Sequence, residues 1–256
     1  LPSTTRISTG VEGLDRMLKG CLLKDSVLLF SGGPGTGKTM FGMHFIYEGA
    51  KKDEEGLIIS FEEWTGKLIR NAKAYGLDFE SLEKKGMVKI LYFSPAMFHA
   101  DEHALLIKET IRDFNIKRVF FDGIENLVTA LPDAIKRKDY LHALVNYFSS
   151  RSIATVLTSE IPELFGSIKL THEAFSGNVD VIVLLRHVEV EGQIKKALSV
   201  LKSRGCDHDK EIREFEITDK GIEVKVALKG YENVLVGTAR RPPSDVFKEM
   251  FGSRKQ

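Results

Sequence analysis

The sequence predicts an α/β fold: a mostly parallel central sheet flanked by helices, extended on one side by C-terminal antiparallel strands. Three observations predict it. Short apolar runs alternate with helical stretches through the first two-thirds of the chain, the pattern that builds a parallel sheet covered on both faces. A glycine-rich stretch, "SGGPGTGKTMF" (Ser31–Phe41), separates one such run from a helix. In the last third the pattern changes to strand, turn, strand.

The elements follow in order. "SVLLF" (Ser26–Phe30) is a continuous apolar run, the mark of a strand buried on both faces. "MFGMHFIYEGA" (Met40–Ala50) is long, apolar and free of proline, and predicts a helix. "GLIISF" (Gly56–Phe61) predicts the second strand. "TGKLIRNAKAYG" predicts a helix with Leu68, Ala72 and Tyr75 on one face and Gly76 as its stop. "VKILYF" (Val88–Phe93) is the third strand, and Asp101–Phe114 a helix with acids in its first turn. "RVFFD" (Arg118–Asp122) is the fourth strand, Tyr140–Ser150 a helix, and "ATVLTS" (Ala154–Ser159) the fifth strand. "VDVIVLLRHVEV" and "IKKALSVLKSRG" then form a hairpin around "EGQ", and "REFEIT" and "GIEVKV" another around "DKG". Residues 1–236 are expected to be one domain, without internal repeats. Residues 237–256, basic and carrying Pro-Pro, are expected to be a flexible tail.

Composition excludes several classes. The 256 residues are 43% hydrophobic and 29% charged, an ordinary water-soluble balance. The net charge of +1 gives no strongly basic footprint for nucleic acid. No apolar run approaches the roughly 18 residues of a membrane span, so no membrane partner is expected. The N-terminus carries no apolar signal-peptide core. Cys21 and Cys206 form no C-x-x-C pair, which fits a cytoplasmic location and gives no zinc signature.

Gly32 and Gly37, followed by Lys38 and Thr39, fit G-x-x-x-x-G-K-[ST] between a strand and a helix. The glycines let successive N–H groups turn inward around a polyphosphate, and the helix start adds free donors. Lys38 would reach the β- and γ-phosphates, and the Thr39 hydroxyl would hold Mg²⁺. Asp122, an acid ending an apolar strand, is where a carboxylate would hold the same Mg²⁺ through water. Glu62 and Glu63, in "FEEW" at the end of the second strand, are candidates to orient and deprotonate an attacking water. Adjacent carboxylates raise each other's pKa. Neighbours on a strand point to opposite faces, so one of the pair, Glu62, is expected to face the phosphate and metal. Lys202 and Arg204, two apart on a strand, share a face. They read either as fingers for the γ-phosphate of a neighbouring chain or as a cationic edge strand. His99 and His103 read as a polar helix start rather than a metal site. Trp64, Phe93 and Phe98 read as packing rather than base-stacking groups.

These motifs resemble the KaiC-like ATPases of the RecA/RadA superfamily. The resemblance rests on "TGVEGLD", "SGGPGTGKT", "FEEW", "RNAKAYGLDFE" and "LKSRGCDHDKEIREFEITDKGI", with the "YENVLVGTARR" tail similar to the second of two domains in the cyanobacterial clock member. It implies a RecA-like P-loop core and a homo-hexameric ring with ATP between subunits. It implies phosphate and Mg²⁺ contacts from Gly33, Pro34, Gly35, Thr36, Gly37, Lys38, Thr39 and Met40, and catalytic roles for Glu62 and Glu63. Lys202, Ser203 and Arg204 match residues that reach the neighbour's nucleotide, which favours the finger reading. His208, Thr218 and Asp219 match contacts to the neighbour's ribose and base. One departure concerns the tandem phosphoacceptors of the clock member: "AFSGNVDVIVLL" keeps one serine, Ser176, followed by Gly177. The expected function is a Mg²⁺-dependent, ATP-hydrolysing, regulatory ring protein with possible regulatory protein partners. The alternatives are an autokinase acting on Ser176 and a DNA-binding recombinase relative. Near-neutral charge and the lack of a basic N-terminal module stand against the last.

Overall fold

A computed structural model describes residues 3–20, 22–161, 179–231 and 234. Nine strands form one sheet in the order β3-β2-β4-β5-β1-β6-β7-β8-β9. They are β1 (Val27–Gly32), β2 (Gly56–Ser60), β3 (Val88–Tyr92), β4 (Arg118–Asp122), β5 (Ala154–Glu160), β6 (Val181–Val190), β7 (Gln193–Ser203), β8 (Arg213–Thr218) and β9 (Gly221–Ala227). The first six are mutually parallel. The antiparallel extension begins at β7. Thus β6, expected with the antiparallel group, runs parallel beside β1 and antiparallel beside β7.

Continuous apolar runs serve two faces because alternate residues enter different cores. From β1, Leu28 and Phe30 join one core and Val27 and Leu29 the other. On β4, Phe120 faces the first core, and Val119 and Phe121 the second. The first core is covered by α1 (Glu12–Leu18), α2 (Lys38–Ala50), α3 (Thr65–Lys73) and α4 (Phe79–Lys84). The second is covered by α5 (Ala100–Asp113), α6 (Leu127–Ala130) and α7 (Ala134–Ser150). Helix α2 lies close on the sheet because Gly42 faces Phe120, where a Cβ would meet the ring at 2.2 Å. Arg118 is tied at the foot of β4: its Nε donates to Glu54 at 2.7 Å and its Nη1 to the Ser8 and Phe45 carbonyls.

The structure extends and corrects the sequence reading at several points. Helices α1 and α4 have seven and six residues, too short to show a period. Helix α7 begins at Ala134, capped by the Asp133 carboxylate, rather than at Tyr140. Its opening residues "AIKRKD" are solvated and carry no apolar stripe. Phe93 and Phe98 pack with Phe61 as expected, but Trp64 is 61% exposed and lies on the surface. His99 precedes α5, and its N–H donates to His103 Nδ1 at 3.1 Å, a polar helix start. Cys206 is disulfide-bonded, and the other cysteine, Cys21, lies outside the described residues. Cysteine usage therefore carries no argument for a reducing compartment. No helix among the described residues is long and apolar enough to cross a membrane. Ser176 and the 237–256 tail also lie outside the described residues.

Candidate active site

The carboxyl ends of β1, β2, β4 and β5 converge on the glycine loop, the crevice where open parallel sheets place ligands. β1 is buried along its whole length and delivers the loop rigidly. Gly37 caps α2 at φ 102°, and a Cβ there would meet Ile217 Cδ1 at 2.5 Å, so the turn requires glycine. The Thr36 hydroxyl donates to the Gly33 carbonyl at 2.9 Å, holding the loop closed on itself. Lys38 is 8% exposed; its Nζ donates to the Gly32 and Gly33 carbonyls at 3.0 and 2.9 Å and lies 3.4 Å from Glu160 Oε2. Pro34 and Gly35 form the loop's crest, and His187 Nε2 lies 3.3 Å from the Pro34 carbonyl.

Thr39, in the first turn of α2, donates its hydroxyl to both Asp122 oxygens, at 3.2 and 3.1 Å. Asp122 ends β4, is 1% exposed, and accepts from the Thr158 hydroxyl at 2.6 Å. Burial pushes its carboxyl up to about 7, and Glu62 adds to the rise against the pull of Thr158, Thr39 and Lys38. A buried carboxylate bonded to a helix-start hydroxyl, with an ammonium close by, is a donor set suited to a hard cation beside a polyphosphate.

Strand β2 stops at Ser60, so Glu62 and Glu63 sit in the bend beyond it rather than on a regular strand. The bend still separates them. Glu63 pairs with Lys67 at 2.8 Å and accepts from Asn71 at 3.1 Å, both on α3. Glu62 turns toward Glu125, Glu160 and Lys38. Partial desolvation, contact with Glu125 and the charge of Glu160 raise its carboxyl to about 7, with Lys38 opposing. The acids that raise Glu62 are thus Glu125, in the turn after β4, and Glu160, at the end of β5, where the sequence offered Glu63.

The remaining candidates divide into two groups. Ser203 pairs with Val181 and Lys202 with Ile182, at the amino ends of the parallel strands. There Lys202 Nζ donates to the Val179 carbonyl at 2.6 Å, and Arg204 lies 3.6 Å from Asp180. His208 follows in the same connection, beside Lys210. Thr218 and Asp219 lie elsewhere. Strand β8 returns to the carboxyl ends, where its Ile217 packs on Gly37 and the Asp219 carbonyl lies over Gly76. They sit next to the chain's own glycine loop, apart from Lys202–His208.

A cavity of about 430 Å³ opens beside the loop, lined by Thr39, Met40, Glu62, Glu63, Asn71 and Tyr75 among others. Tyr75, expected on one helical face with Leu68 and Ala72, is half-buried in the turn after α3 and forms a wall of this cavity. Sequence reasoning also missed Lys196. It pairs across strands with His187 and with Phe215, on the face that carries α2. Burial lowers its pKa, and among the described residues no carboxylate pairs with it. Period-two alternation places these side chains on one face but does not reveal that the face meets the glycine loop.

Comparison with known proteins gives a consistent result. The KaiC ATPase family matches residues 7–229. A circadian clock oscillator protein KaiC from Thermostichus vulcanus is 34% identical over 248 residues, 97% of this chain and 48% of that protein. Circadian clock oscillator protein KaiC 1 from Synechocystis sp. is 33% identical over the same shares. A Prochlorococcus marinus subsp. pastoris relative is 35% identical over 95% of this chain and 48% of its own length. The chain spans about half the length of the curated relatives it matches.

Proposed function

The chain belongs to the KaiC ATPase family, and from that premise and the site geometry we propose that it is a Mg²⁺-dependent ATPase, its residues 1–236 one catalytic unit that assembles into a hexameric ring with ATP between neighbouring chains. The observation that carries this reading is the Thr39–Asp122 pair beside the buried Lys38 ammonium, at the start of α2. In this reading the loop from Gly33 to Gly37 and the first residues of α2, Lys38 to Met40, supply N–H donors to the phosphates. Lys38 exchanges its loop carbonyls for phosphate oxygens. Thr39, Asp122 and Glu62 would hold Mg²⁺, which would neutralise charge on the phosphate chain. Glu62, its carboxyl raised to about 7, accepts a proton from the attacking water near neutral pH. Glu63 supports it by anchoring the bend to α3.

Lys202, Ser203, Arg204 and His208 serve the nucleotide of an adjacent chain. Thr218 and Asp219 contact the ribose and base of an adjacent chain's nucleotide, and Tyr75 lines the cleft beside the chain's own loop. The relatives' description as clock oscillators supports a regulatory ATPase with itself as first partner, working in the cytoplasm. Phosphate release from ATP tests the core assignment. The wild type should hydrolyse ATP only with a divalent cation, and Lys38→Ala should abolish turnover while keeping the circular-dichroism spectrum. Undiminished hydrolysis by Lys38→Ala would overturn the reading.

A further inference from the structure

Asp122 is held from β5 as well as from α2. The β4–β5 ladder ends at Phe121 and Leu157. The next two residues, Asp122 and Thr158, are joined through their side chains instead. Period-two alternation puts both on the face that carries α2, with Phe120 and Val156. Both are 1% exposed. The Thr158 hydroxyl donates to Asp122 Oδ1 at 2.6 Å and accepts from the Gly123 N–H at 2.8 Å. Chemistry fixes the direction of this relay. The Gly123 N–H can only donate, so it takes a lone pair of the hydroxyl oxygen, and the single hydroxyl proton goes to the ionised carboxylate. Gly123 follows Asp122 directly, at φ 82°, so one hydroxyl holds both the aspartate side chain and the peptide after it. Among the described residues Asp122 Oδ2 accepts from Thr39 alone, at 3.1 Å.

We propose that Thr158 is a positioning residue for the nucleotide's Mg²⁺: it occupies Asp122 Oδ1, so that Oδ2, beside the Thr39 hydroxyl, is the oxygen that serves the ion. This inference rests on the ATPase reading above. A carboxylate has two equivalent oxygens and can rotate between them. A donor that fixes one oxygen fixes the direction of the other, and it acts through Asp122 without touching the ion. Outer partners of this kind orient metal-binding carboxylates, and their removal typically costs roughly 10–100-fold in metal affinity. The Thr158 hydroxyl makes no bond to residues 32–40 among the described residues, so its loss leaves the phosphate-binding loop itself in place. Metal-free nucleotide binding and metal-assisted binding should therefore separate in a variant that lacks only this hydroxyl.

The test reads binding without turnover. Titration calorimetry gives the affinity of the full chain for the non-hydrolysable analogue β,γ-imido-ATP, once in EDTA and once with Mg²⁺, and the ratio is the gain due to the ion. Thr158→Val keeps the side-chain shape and removes the hydroxyl. Its affinity in EDTA should match wild type, while the gain should fall about tenfold or disappear. Thr158→Ser, which restores the hydroxyl, should recover the gain. Thermal melting checks that the variants fold, and Thr158→Cys, whose thiol is a weak donor, replaces Thr158→Val should the latter not fold. A gain that Thr158→Val keeps would overturn the positioning role; if Thr39→Ala loses that gain, the ATPase reading still stands. Equal losses in EDTA and in Mg²⁺ would also overturn it, by making Thr158 a strand tie alone. A wild type that gains nothing from Mg²⁺ would overturn the Thr39–Asp122 assignment and this inference with it.

Discussion

If Arg204 completes a neighbour's site, two inactive variants should restore each other. Gly32, at the mouth of the glycine loop, is level with Leu185 on β6, and Leu185 with Leu198 on β7. Ser203 pairs with Val181, four residues down β6 from Leu185. At ~3.3 Å per residue that is ~13 Å along the strand, and two strand spacings add ~10 Å across. The ends of β7 and of β1 are therefore roughly 16 Å apart within a rigid sheet, and Arg204 continues away from the loop. Arg204→Ala should bind ATP yet lose roughly 10³–10⁵ in rate, as removal of a finger residue does. Glu62→Ala should lose roughly 10²–10⁴ through its missing base. Each interface of a head-to-tail ring joins Glu62 of one chain to Arg204 of the next. In an equal, fully exchanged mixture about a quarter of interfaces pair an intact Glu62 with an intact Arg204, so about a quarter of wild-type phosphate release should return. Differential tagging and co-purification establish the exchange. Exchanged rings as inactive as either parent would refute the assignment, because a site built within one chain lacks one group in every copy.

Gly37→Ala should cost about 1–3 kcal/mol in denaturant unfolding, from the positive φ and the contact with Ile217, and should weaken nucleotide binding. Adding Ile217→Ala should recover the contact part and not the backbone part. His44 is held near pKa 4 by burial, with Lys51 adding and Glu48 opposing. Its folded value lies below the unfolded one, so stability present above pH 6.5 is lost as pH falls toward 4, by an amount of order 3 kcal/mol at ~1.4 kcal/mol per unit. His44→Gln should flatten urea-unfolding free energies across that window; an unchanged slope would assign the acid loss to other groups. Glu62→Gln should lose most of the turnover, while Glu63→Gln, which alters a pair with Lys67 and Asn71, should lose far less. Equal losses in steady-state phosphate release would contradict the division of the two acids.

The strands were legible because their signal is local. The Val27–Phe30 core of "SVLLF" and the Val119–Phe121 core of "RVFFD" are apolar at every position, which needs two covered faces, and both lie between helices. The β6–β7 and β8–β9 turns were legible from "EG" and "DKG" for the same reason. What the sequence could not give was the partner of each strand. Nothing in "VDVIVLLRHVEV" distinguishes a strand that adds parallel to β1 from one that opens a hairpin, because β6 does both and its residues are buried either way. The start of α7 was lost for a different reason: Asp133 caps a turn whose side chains all face water, so capping chemistry, not periodicity, marks it.

The site was legible only where one contiguous segment carries it. Residues 31–39 hold the glycines, the lysine and the threonine in fixed order, so spacing alone identifies them. Asp122 could be added because an acid ending a buried strand is conspicuous in itself. Glu125 and Glu160 offer no such sign: one is a turn residue, the other a strand-end acid, and neither differs from a solvated carboxylate until the order β2-β4-β5 sets them beside Glu62. The same sheet order that hides them from sequence makes them act together, because the three acids reach one another only through neighbouring strand ends. A change that shifts β4 against β2 would alter the environment of Glu62 without touching Glu62 itself. The raised pKa of the proposed base thus comes first from its burial and then from Glu125 and Glu160, side chains more than sixty residues away in sequence that the sheet order brings beside it.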